Sequence, residues 1–217
     1  MKVYFISGLA ADNRTFHYIK LPPGFEVVYL NWIKPVNAES LKEYALRLSS
    51  GIDTSEPFVL LGLSMGGMLA TEIALKHAPI LTILISSSSS HRHFPPWFKW
   101  AAGLRIQKIV PAKAFKSASL IKRLFTGETK EVKNILRQVI RDSDPAFIKW
   151  ALNAILNWKN EDMPKGLVQV HGTKDETLPF RYCKANYVIK NGSHMMVMTR
   201  PTEINSLLEQ LLSPLTS

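Results

Sequence analysis

A single cysteine, Cys183, in 217 residues excludes an internal disulfide and leaves no second thiol for a structural metal site or a redox pair. It reads as a passive thiol. Long apolar runs are also missing. Val3 to Ile6 is too short for the hydrophobic region of a signal peptide, and no later stretch approaches the length of a membrane-spanning helix, so the cytoplasm is the expected location. There is no internal repeat and no low-complexity linker apart from the serine run Ser86 to Ser90. Nothing in the sequence calls for a cofactor or a metal. Acidic residues are the scarce charge, 17 against 27 Lys and Arg, which gives a formal +10. That imbalance alone would suggest nucleic acid, but no recognisable nucleic-acid-binding motif accompanies it. It is also localised: Arg92 to Lys149 holds thirteen basic and four acidic residues, whereas the rest of the chain is nearly balanced at fourteen and thirteen.

What is present is the composition of a packed domain, with 46% hydrophobic and 20% charged residues. Lys2 to Ser7 and Glu26 to Leu30 are rich in β-branched and aromatic residues and end in turn signals, so they read as strands. Pro57 to Leu63, Ile80 to Ile85 and Gly166 to Val170 are almost continuously apolar, as strands buried on both faces of a parallel sheet should be. Asn186 to Ile189 is a weaker strand. Leu41, Tyr44, Ala45 and Leu48 recur at helical spacing, another helix is expected from Met65 to His77, and a last one begins near Pro201. Strands alternating with helices predict an α/β fold, a mostly parallel sheet covered by helices on both faces. Between Arg92 and Asn160 the alternation stops. Val132, Ile135, Leu136, Val139 and Ile140 mark one helix, and Asp144-Pro145 opens another that carries Phe147, Ile148, Ala151, Leu152 and Ile155. The expected organisation is therefore a core from residues 1–90 and 161–217 with a helical insertion at 91–160.

Gly62-Leu-Ser64-Met-Gly66 matches G-x-S-x-G where a buried strand meets a helix. A serine in such a turn is strained, its flanking glycines avoid collisions with neighbouring backbone, and its Oγ is lifted clear of the surface. The bland alternative is a glycine-rich turn that is inert or binds phosphate. A serine hydroxyl needs a base, usually a histidine held by a carboxylate. Of six histidines, His194 lies in a loop after the last strand and just before a helix, and it comes last in the order expected of such a site. His171 closes a strand, where packing is the expected role. His77 suits a helix C-terminus, His91 and His93 begin the insertion, and His17 has no evident role. Asp175 lies just past the C-terminal end of the strand before it and is the expected acid. Glu176 is adjacent and less well matched, while Glu161 and Asp162 fall at the other end of the sheet. An oxyanion would be met by the backbone N–H of Met65, after the nucleophile, and by a second donor from the loop after the first strand, assigned by position to Leu9.

Together, Ser7-Gly-Leu, Gly-Leu-Ser-Met-Gly-Gly, His171-Gly-Thr-Lys-Asp175 and Gly192-Ser-His194 make the chain resemble the α/β-hydrolase superfamily over its whole length. The resemblance implies a cap domain for the helical insertion. Family members include carboxylesterases, lipases, thioesterases, acyltransferases and carbon–carbon bond hydrolases, so fold alone leaves the substrate open. Two features depart from the family pattern. Ser7 stands where the first loop usually has histidine, and only nineteen positions separate Asp175 from His194, leaving room for a turn or two instead of the usual helix. The reading that follows is an esterase or thioesterase acting on a small to medium acyl substrate through acyl-Ser64. Acyl transfer or carbon–carbon hydrolysis with the same three residues, and a non-catalytic ligand-binding protein, are the alternatives. In the insertion, Trp97, Phe98, Trp100, Phe115 and Phe125 interleave with Lys99, Arg105, Lys108, Lys113, Lys116, Lys122 and Arg123. This pattern suits an anionic acyl substrate or peripheral contact with an anionic membrane, against the alternative of a solvated basic face.

Overall fold

The computed structural model describes residues 1–103 and 130–215. Six strands, β1 (Lys2–Ile6), β2 (Glu26–Tyr29), β3 (Phe58–Leu63), β4 (Leu81–Ile85), β5 (Leu167–Gly172) and β6 (Tyr187–Ile189), form one sheet in the order β2-β1-β3-β4-β5-β6. Every pairing is parallel. β3 lies between β1 and β4, and all six of its residues are buried. Alternate side chains feed two cores. Tyr4, Ile6, Leu60 and Leu84 enter one, and Val3, Phe5, Leu61, Ile83 and Val170 enter the other. This is the period-two geometry of a strand with both faces covered.

The first core is closed by α1 (Leu41–Leu48), α2 (Met65–His77) and part of α5 (Pro145–Leu156). A capping box starts α1: Ser40 Oγ accepts from Glu43 N, while the Glu43 carboxylate accepts from Ser40 N. The second core is closed by α6 (Met196–Thr199), α7 (Pro201–Leu212) and Val132 and Leu136 of α4 (Lys130–Asp142). Helix α3 (Pro96–Gly103) follows β4. The helices between β4 and β5 thus pack into both cores. Arg14 also pairs with Asp142 at 3.0 Å, and Trp150 Nε1 donates to the Glu39 carbonyl at 2.9 Å. Among the described residues no helix is long and apolar enough to cross a membrane. Trp97 and Trp100 of the insertion are exposed, at 41% and 74%. Phe115, Phe125, Arg105, Lys108, Lys113, Lys116, Lys122 and Arg123, and the side chain of Lys99, lie outside the described residues.

The chain leaves β1 toward β2 and β3 toward β4, so the order reverses between β1 and β3 and opens a crevice at their carboxyl ends, where ligands bind in open α/β sheets. Helix α2 starts there because it has almost no side chain on its inner first turn. A Cβ at Gly66 would lie 2.1 Å from the Ile6 carbonyl oxygen and 2.4 Å from that of Ser7, and one at Gly62 would lie 2.4 Å from the Gly66 oxygen. These obstacles are backbone and have no rotamer to escape into. Gly66→Ala is therefore expected to destabilise the fold by about 1–3 kcal/mol or more through overpacking. Gly51→Ala, where the nearest obstacle is the Leu30 Cδ2 at 3.3 Å, should cost much less. Urea midpoints of the two variants check this, and equal midpoints would refute it.

Candidate active site

Ser64 joins β3 to α2 with φ 53° and ψ −120°, a conformation that strains any residue with a Cβ by about 1–3 kcal/mol and persists only where neighbours enforce it. Its N–H donates to the Ile85 carbonyl at 3.0 Å, and its own carbonyl accepts from Gly67 N at 3.0 Å and Ser87 Oγ at 2.6 Å. Ser87 reaches it because Gly67 is bare: a Cβ there would sit 2.4 Å from that hydroxyl oxygen. The turn leaves Ser64 half-buried with its Oγ 2.9 Å from His194 Nε2.

The histidine and the acid come from two loops fastened to each other at the sheet edge. Asn191 N donates to Thr173 Oγ1 at 2.8 Å, Lys174 N to the Gly192 carbonyl at 2.9 Å, and Thr173 N to the Ile189 carbonyl at 3.1 Å. Gly172 and Gly192 allow this contact, since a Cβ on Gly172 would lie 2.2 Å from the Gly192 oxygen. Asp175 Oδ2 consequently lies 2.8 Å from His194 Nδ1, and Oδ1 accepts from Thr177 N at 2.9 Å and Leu178 N at 2.8 Å. Burial of Asp175 opposes ionisation, but His194 and His171 beside it outweigh burial and hold the carboxyl well below the usual carboxylate range. Between the two loops the chain makes only the short 3₁₀ turn Phe180–Tyr182 and the strand β6, in keeping with the small spacing in sequence.

The structure brings Ser64, His194 and Asp175 into one hydrogen-bonded line. It sets the loop after β1 against the serine: a Cβ on Gly8 would lie 3.2 Å from Ser64 Cβ and 3.8 Å from its Oγ. The loop closes through Ala11 N to the Gly8 carbonyl at 3.1 Å, leaving the Leu9 N–H outside that bond. The Met65 N–H opens α2, where first-turn N–H groups have no partner in the helix. Ser7, at the usual histidine position, donates Oγ to the Ala11 carbonyl at 3.1 Å, and Trp32 Nε1 donates to the same oxygen at 2.7 Å. Trp32 packs 5.0 Å from the Phe147 ring of α5.

Three contributors escaped sequence reasoning. Ser87 and Trp32 carry no local signal, because their partners are backbone carbonyls distant in sequence. His171 did carry one, as a basic residue in a largely apolar strand next to the acid loop, and packing is the role its position suggests. It is completely buried, and its Nε2 lies 3.2 Å from Asp175 Oδ2 and 2.7 Å from the Leu178 carbonyl oxygen. Burial pushes this imidazole down, but Asp175 and Cys183 beside it outweigh burial, and the net shift is upward. His77 instead meets Ser49 Oγ at 3.0 Å near the end of α2, and His91 lies 3.5 Å from Glu161.

Solved structures share this architecture. MenH from S. aureus superposes with a TM-score of 0.77 at 18% identity, over 100% of this chain and 95% of that one. A thermophilic esterase from Thermogutta terrifontis gives 0.70 at 19% identity over 100% and 91%. The enol-lactonase from Burkholderia xenovorans LB400 gives 0.75 at 16% identity over 98% and 91%. No curated protein matches the sequence significantly. The family described as "Alpha/beta hydrolase family" matches residues 5–207. With this match over nearly its full length, the chain belongs to the alpha/beta hydrolase family.

Proposed function

We propose that the protein is a serine hydrolase that cleaves a small to medium acyl ester or thioester through an acyl-Ser64 intermediate. The carrying observation is the line Ser64 Oγ to His194 Nε2 at 2.9 Å and His194 Nδ1 to Asp175 Oδ2 at 2.8 Å. With Nδ1–H donated to the carboxylate, the Nε2 lone pair faces the hydroxyl proton. As Oγ attacks the acyl carbon, that proton passes to Nε2 and the imidazolium is held against Asp175. The developing oxyanion takes the N–H groups of Met65 and Leu9, as electrostatic stabilisation of this kind requires. Collapse expels the alcohol or thiol with the proton from Nε2, and water then repeats the sequence to release the acid. The esterase and enol-lactonase neighbours favour hydrolysis of this kind.

Ser64→Ala and His194→Ala are each expected to remove hydrolysis of 4-nitrophenyl esters, the first while melting as wild type and the second while remaining folded with a lower melting temperature, because Asp175 loses a partner. Asp175→Asn should lower kcat by about 10⁴, the effect of losing the correct histidine tautomer in a serine protease. Equal turnover by Ser64→Ala would end this reading. A matched series of esters and acyl-thioesters sizes the acyl site and separates the two leaving groups.

The net charge of Arg92 to Lys149 suits an anionic acyl substrate. Because surface charges act over about 8–10 Å at ordinary ionic strength, kcat/KM for an anionic thioester should fall as salt rises. That for a neutral ester of equal chain length should stay level. Parallel responses would leave the basic segment without a part in recognition.

A further inference from the structure

Asp175 Oδ2 receives two imidazoles. His194 occupies one side, and His171 approaches from the floor of the site with Nε2 at 3.2 Å. Both nearest oxygens around His171 Nε2, the Leu178 carbonyl at 2.7 Å and Asp175 Oδ2 at 3.2 Å, are acceptors, so this nitrogen carries its proton, which is bonded to the Leu178 carbonyl and lies within ion-pair range of the carboxylate. The Leu178 carbonyl belongs to the segment whose N–H groups hold Oδ1. One ring therefore ties the carboxylate and its loop to β5. A mere space-filler would not need to be polar: the ring is fully buried, and its Nδ1 has no hydrogen-bond partner among the described residues. Burying that atom is unfavourable, and the bond from Nε2 to the Leu178 carbonyl together with the close approach to the Asp175 carboxylate are what offset it.

We propose that His171 is a positioning residue, whose Nε2–H fixes the Asp175 carboxylate toward His194 and limits how much of its acceptor strength His194 receives. The proposal rests on the hydrolase reading for its effect on turnover. Its effect on His194 follows from geometry alone. A carboxylate that already accepts bonds from Thr177 N and Leu178 N and faces the His171 Nε2–H at 3.2 Å has less capacity left to stabilise a protonated His194. Removing the His171 donor frees that capacity and raises the basicity of His194, while also loosening the carboxylate's aim. The titratable groups facing His171 are Asp175 and Cys183, whose Sγ lies 3.4 Å from Nε2, with His194 beyond the shared oxygen. The Phe180 ring lies 6.5 Å away.

The test compares His171→Gln, whose amide nitrogen reaches the Nε2 position, with His171→Asn, which is equally polar but too short, and with His171→Phe. Kinetics on a 4-nitrophenyl ester should show kcat down about 10–100-fold in the Asn and Phe variants, the scale of losing a hydrogen bond to a charged group. KM should change little, and the Gln variant should recover most of kcat. The acidic limb of kcat/KM should move to higher pH, further in Asn and Phe than in Gln. Imidazole ¹H–¹⁵N spectra follow His194 directly and need no turnover: its titration should shift upward in the same order. If the Phe variant does not fold, the Asn and Gln pair decides. Identical His194 titration in Asn and Gln, or loss of kcat that follows only the folded fraction, would overturn the proposal. A shifted titration in a protein with no Ser64-dependent turnover would instead overturn the hydrolase reading and leave this one standing.

Discussion

The site depends on one close backbone approach. The first turn of α2 lies against the carboxyl end of β1, with Gly66 so near the Ile6 and Ser7 carbonyls that no side chain fits between them. That contact aims the helix N-terminus at the crevice between β1 and β3, leaves Ser64 as the strained link from β3, and draws the loop of Gly8 and Leu9 against the serine. The strain is a matter of about 1–3 kcal/mol, comparable to a few hydrogen bonds. Ile85, Gly67 and Ser87 supply bonds that resist its relaxation. A larger residue at 66 would move the helix, and the Ser64 turn and the loop of Gly8 and Leu9 with it.

A second constraint acts at the opposite edge of the sheet. The β5 and β6 loops are joined through Gly172 and Gly192, so the acid and the histidine are held by the same backbone bonds even though the usual helix between them is reduced to one turn. Asp175 is buried, and a buried carboxylate is tolerated only when it is paired and hydrogen-bonded. Thr177, Leu178, His194 and His171 satisfy it. The same bonds that make the charge tolerable also orient it.

Much of this was legible in the sequence because it is written in local pattern. Almost continuously apolar runs at Phe58–Leu63 and Leu81–Ile85 specify central parallel strands, and Gly62-Leu-Ser64-Met-Gly66 names a turn that few other residues would allow. Order along the chain pointed to Asp175 and His194, and the structure brings both to Ser64. What stayed hidden is contact between side chains and distant carbonyls. Trp32 and Ser7 converge on Ala11, and Ser87 supports Ser64 across 23 positions, none of which leaves a period or spacing to read. His171 was visible as a basic residue in a largely apolar strand, but only the fold shows that its ring meets the acid and not merely the core. The two insertion helices Lys130–Asp142 and Pro145–Leu156 were legible from their apolar spacing, whereas Pro96–Gly103 was not. Their partition between the two cores was not, because an apolar face does not say which surface it covers.

The central claim is that Ser64 is an activated nucleophile. Its most direct measurement is reaction with a fluorophosphonate, read by intact mass and by mapping the modified peptide. A single phosphonyl adduct on the peptide containing Ser64, formed far more slowly when His194 is alanine, is the predicted result. No adduct on the folded protein, or an adduct on another serine with Ser64 unmodified, would contradict the account.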